Sequence, residues 1–173
     1  QHVGPAHFGA VTSGVYPDGK RVLWSNGIDR IVKIDYDAWE VVAEYFFPDV
    51  EVYDEERADE SIAGFDANNT GVIPLVRSFQ EMGKLRDLAN LYTVLDRDHT
   101  YYVGSKTGTI TAYGDADPND TRSPIVKKAE FQLPAEMTGP VMGLNMTYDG
   151  WLIVATEHGY VAAIKPDFSA VRT

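Results

Sequence analysis

The chain contains no cysteine. Disulfide bridges, thiolate metal centres and cysteine nucleophiles are therefore excluded together. Long apolar runs are missing too, and nothing approaches the roughly 18 residues that a membrane-spanning helix needs. Basic residues are scarce: 15 Lys and Arg stand against 26 Asp and Glu, for a net charge of −11 and a pI near 4.6. A surface of that sign repels phosphate backbones and anionic lipid, so neither nucleic acid nor a membrane is an expected partner. The four histidines, His2, His7, His99 and His158, show no metal-binding spacing of the H-x-x-x-H kind. No initiator Met, basic n-region or apolar h-region marks the opening "QHVGPAHFGAV". That opening leads to the expectation of a trimmed chain, placed extracellularly or in a periplasm.

What is present is turn chemistry and short apolar runs. Fifteen Gly, nine Pro and 12% aromatic residues in 173 positions suit many short strands better than long helices. Three segments are alike: residues 14–48, 93–134 and 143–173. Each opens on a short strand and turns at Asp18-Gly19, at "DRDH" (96–99) or at Asp149-Gly150. A second strand follows ("RVLWS", "YYVGS", "WLIVAT") and turns at Gly27, Gly108 or Gly159. A third comes next ("RIVKID", "TITAYG", "YVAAIK"), then a polar turn and a fourth strand. Glycine at such turns supplies the positive φ that tight hairpins demand. In the second segment His99 stands where a glycine is expected, which marks it as a structural residue. The fourth strands of the first two segments end alike, "AEYFFP" and "AEFQLP", and Pro48 and Pro134 then release the chain from the sheet.

Tandem four-stranded antiparallel units predict an all-β fold that is part of a β-propeller, with two complete blades and most of a third. The outermost strand of the third unit is only begun, at "FSAVRT", and the expected strand starts at Phe168. Residues 1–173 form one partial propeller in this reading, interrupted by an insertion at 49–90. Leu75, Phe79, Met82, Leu85 and Leu88 fall at helical spacing there, so a short helix is expected in it. The stretch starting at Asp66 has oxygen side chains at Asp66, Asn68 and Thr70. It places Arg77 where a calcium-binding EF-hand needs glutamate, so that motif fails.

Segments such as "YDGWLIVATEHGYVAAIKPD" and "VGSKTGTITAYGD" resemble propellers of the quinoprotein and the gluconolactonase/strictosidine synthase-like kinds. In a propeller, the turns between second and third strands share a face with the connections between blades, and that face carries the channel entrance. His158, in the turn "TEHGY", and His7, on the first innermost strand, are accordingly the candidate catalytic residues. Gluconolactonase-like propellers hold a divalent metal with Glu, Asn and Asp side chains. The resemblance therefore implies a metal, calcium or zinc, with Asn26 and Asn145 as the matching ligand types.

The activity so implied is metal-assisted hydrolysis of a lactone or ester of small size. Two other classes stand beside it: a non-catalytic binding or assembly scaffold, and a quinoprotein-like oxidoreductase, which the missing tryptophan docking pattern disfavours. Three blades cannot close a ring of about four to eight. A second polypeptide, the remainder of the same precursor, is the expected partner alongside a small-molecule ligand.

Overall fold

In the computed structural model the described residues are 11–26, 30–47, 92–105, 107–137 and 139–173. Residues 49–90, His7, Gly27 and Lys106 lie outside them, and with them the expected insertion and its helix. The described chain forms three antiparallel four-stranded sheets. The first contains β1 (Thr12–Val15), β2 (Arg21–Asn26), β3 (Arg30–Asp35) and β4 (Glu40–Phe46). The second contains β5 (Tyr92–Leu95), β6 (Tyr101–Gly104), β7 (Thr109–Asp115) and β8 (Ile125–Gln132). The third contains β9 (Val141–Met146), β10 (Leu152–Thr156), β11 (Val161–Ile164) and β12 (Val171–Arg172). Within each sheet, spatial order follows sequence order, so every sheet is a meander. This is the blade pattern that the repeat predicts.

The turn residues act as their chemistry requires. Gly19, Gly150, Gly108 and Gly159 all have φ between 80° and 87°. His99 takes the same left-handed conformation, with φ 58°, at the equivalent turn of the second sheet. Its imidazole stacks on Tyr16 of the first sheet, with centroids 4.0 Å apart and planes within 6°. One expectation is corrected. Phe168 does not begin the last strand; it sits in a turn with φ 61°, closed by its own N–H on the Lys165 carbonyl at 2.8 Å. Pairing resumes only where Ala163 and Ile164 meet Arg172 and Val171. The turn sends the Phe168 ring inward, 5.4 Å from Phe131 of the second sheet.

Apolar alternation builds two cores, one per sheet-to-sheet interface. Tyr16, Val22, Trp24, Ile31, Tyr101, Val103, Tyr113 and Ile125 fill the space between the first and second sheets. Tyr102, Ile110, Ala112, Leu133, Val141, Leu152, Val154 and Ile164 fill that between the second and third. Gly104 is required in the second interface, because a Cβ there would lie 2.5 Å from Val141 Cγ1.

Candidate functional site

Hydrogen bonds fix which loops share a face. The Val141 amide donates to the Ser105 carbonyl, and the Glu157 amide to the Pro140 carbonyl, both at 2.9 Å. The β6–β7 and β10–β11 turns thus close on the connection between second and third sheets, which includes a 3₁₀ turn at Ala135–Met137. This is the face expected to carry function. On it, the Ser105 hydroxyl accepts from the amides of Thr107 at 3.2 Å and Thr109 at 3.0 Å. Gln132 accepts from the Thr109 hydroxyl at 2.8 Å and donates to the Thr107 carbonyl at 3.0 Å. The result is a hydrogen-bonded, hydroxyl-lined rim.

His158 is exposed at this rim. Gly139, with φ 135°, lies beneath it; a Cβ at that position would come 2.7 Å from the imidazole Cδ2. The glycine makes room for the ring. Asn145 lies on β9, the first strand of the third sheet, exposed, with its Oδ1 accepting from the Met146 amide at 2.8 Å. Asn26 differs: it is 1% exposed, and its Oδ1 accepts from the Tyr101 hydroxyl at 3.1 Å. Its side chain belongs to the core between the first and second sheets. Among the described residues no three His, Asp or Glu side chains converge as a metal set.

Sequence reasoning missed two polar features. The first is a buried tie across the first interface. The Lys33 ammonium, with its side chain wholly buried, bonds the Asp115 carboxylate and donates to the Ser123 carbonyl at 2.9 Å. The other Asp115 oxygen accepts from the Tyr16 hydroxyl. Burial pushes the Lys33 ammonium below its ordinary range, while the bond to Asp115 works the other way. Burial, followed by the bond to Asp115, pushes the Tyr16 hydroxyl well above its own. The group ties the first sheet to the second. Asp115 repeats the aspartate of "RIVKID" at the end of a third strand, and that rhythm was the available signal.

The second feature is a cleft of about 450 Å³ on the opposite face, where the first turns of the second and third sheets meet. Asp96, Arg97, Asp98, Tyr148 and Asp149 line it. Asp96 is already committed: Oδ1 accepts from the amides of Asp98 and Thr100 at 2.8 Å, and Oδ2 from the Tyr102 hydroxyl at 3.3 Å. These carboxylates shape turns first.

Three sheets of this order and packing match known propellers in fold. The chain superposes on a virginiamycin B lyase of Staphylococcus aureus, solved with quinupristin, with a TM-score of 0.52 and 17% identity. That match covers 94% of this chain and 39% of the lyase. A hydrazine synthase of Kuenenia stuttgartiensis matches with a TM-score of 0.51 and 13% identity, over 96% of this chain and 35% of that one. At these identities the likeness is one of fold. The chain is all-β and built of propeller-type blades. In sequence it is similar to an uncharacterized protein of Archaeoglobus fulgidus, 28% identical over 157 residues. This alignment takes in 88% of the chain and 23% of the relative, so the chain spans about a quarter of that protein. No family model matches it.

Proposed function

We propose that this chain is an assembly module: three successive blades that join further sheets to form a ring holding a small molecule near its axis. The face of the third sheet turned away from the second supports this reading. Tyr102, Gly104, Ile110 and Ala112 form the second sheet's contact with the third, with Tyr102 paired to Ala112 and Gly104 to Ile110. At the same distances from the first turn the third sheet carries Ile153, Ala155, Val161 and Ala163, paired in the same way. This second set, large, small, β-branched and small, repeats the character of a buried interface, yet Val161 is 59% exposed. Covering such a face removes apolar area from water at roughly 25 cal/mol per Å². A further four-stranded sheet fits it as the third fits the second.

For a ring so completed, metal-assisted hydrolysis of a lactone or ester is the proposed chemistry, with His158 and Asn145 as this chain's contributions. Asn26 would not take part, because its side chain is buried between the first and second sheets, whereas Asn145 is exposed. Other sheets would supply the remaining metal ligands.

Light scattering on the isolated chain tests the assembly reading. Species heavier than the 19.2 kDa monomer are expected, and Ala163→Glu should shift them toward monomer. A stable wild-type monomer indifferent to that substitution overturns it.

A further inference from the structure

The turn joining β3 to β4 holds two large aromatic residues in solvent. Tyr36 is 44% exposed and Trp39 is 56% exposed. Their rings stand at 84° to one another with centroids 6.2 Å apart, forming the two walls of an open corner. Trp39 has φ 55°, a conformation that bulky residues rarely adopt and that costs free energy wherever it occurs. The turn enforces it: Asp35 Oδ1 accepts from the amides of Asp37 and Ala38, both at 2.9 Å.

Phe168, in the corresponding turn of the third sheet, shares the positive φ, at 61°. There the strained aromatic is packed, 5.4 Å from Phe131 and 6.3 Å from Tyr102. Trp39 has no such compensation, since its one ring contact among the described residues is Tyr36. Strain at an unpacked, solvent-facing aromatic points to a use outside folding.

The charges around the corner indicate what it takes. Arg21 lies 4.3 Å over the Tyr36 ring and is ion-paired with Asp37. Arg122 reaches across from the second sheet to Glu40. The solvent-facing carboxylates beside the corner, Asp37 and Glu40, are each matched by a guanidinium, and Asp35 is buried against the turn amides. The open side of the corner therefore lacks the excess negative charge that a cationic ligand would need, although the chain as a whole is acidic. An aromatic face beside paired polar groups suits a ligand that is uncharged, with C–H groups on one side and hydroxyls at its edge. We propose that Tyr36 and Trp39 form a binding site for a neutral carbohydrate. One pyranose ring would lie on the indole, with its hydroxyls directed to the Arg21–Asp37 and Arg122–Glu40 pairs. This inference is independent of whether the third sheet is covered.

Tryptophan emission of the full chain, titrated with maltohexaose, cellohexaose or chitohexaose, tests it. At least one sugar should give a saturable change that Trp151→Phe preserves. Trp39→Gly and Tyr36→Ala should each weaken that response tenfold or more. Trp39→Gly separates function from packing, because it removes the strained side chain: binding should be lost while the urea midpoint holds or rises. Absence of a saturable response to all three sugars overturns the proposal. So does a response to tetramethylammonium chloride in their place, or a self-association that Trp39→Gly abolishes, which would make the corner a protein contact.

Discussion

At the residue scale, two side chains do work that their types alone do not announce. His99 tolerates a left-handed backbone better than most non-glycine residues, and the return is its stack on Tyr16. His99→Gly gives up the stack and relieves the backbone, so a loss below about 1 kcal/mol is expected. His99→Ala loses the stack and keeps the backbone cost, for about 1 to 2 kcal/mol. Urea unfolding of the two variants orders them; an alanine variant as stable as wild type would remove the stack from the account. Lys33 is the sharper case. Lys33→Met leaves Asp115 charged, buried and short of its cation, and should cost about 3 to 5 kcal/mol. The double variant Lys33→Met/Asp115→Leu should recover only part of that loss, since an apolar pair removes the uncompensated charge but leaves the Tyr16 hydroxyl without its acceptor.

At the scale of the element, the strands and most turns were legible, because period-two alternation and Asp-Gly pairs are local signals. What lay across an interface was not. The aspartates of the repeat look equivalent in sequence, yet Asp35 caps its own turn, Asp167 accepts from the Ser169 amide, and Asp115 crosses to Lys33. Asn26 reads as a free turn residue until Tyr101 is seen to hold it. Phe168 reads as the start of a strand, because an aromatic after a polar turn suits one; its ring is instead drawn back onto the preceding sheet. His158 could be placed on its turn, but the glycine that seats it, Gly139, belongs to a different loop. The strand β6 offers a direct check on interface packing. Gly104→Ala drives a methyl into Val141 and should cost about 1 to 3 kcal/mol by overpacking. Chemical denaturation should register this loss, and near-silence would mean that the second and third sheets are less tightly joined.

For the whole molecule, the interfaces carry an alkaline limit. Tyr16, Tyr101, Tyr102 and Tyr113 all have hydroxyls pushed above their ordinary range, with burial as the first cause. The unfolded chain releases these protons near pH 10 while the folded chain keeps them. Stability is therefore fully present below about pH 10 and falls above it, by up to about 1.4 kcal/mol per pH unit for each tyrosine. Denaturant midpoints between pH 8.5 and 11.5 should show a plateau and then a steep decline; a flat profile would contradict the burial. The tie between Lys33 and Asp115 also sets a schedule. Each sheet is a meander that can form from local hairpins, but these two residues are separated by 82 positions. At synthesis rates of about 5 to 20 residues per second, the lysine emerges roughly 4 to 16 s before its aspartate. Over that interval the first sheet must either keep the ammonium in water or wait unfinished. The second sheet's arrival, with Asp115 at the end of its third strand, is then the event that dries the first one's inner face.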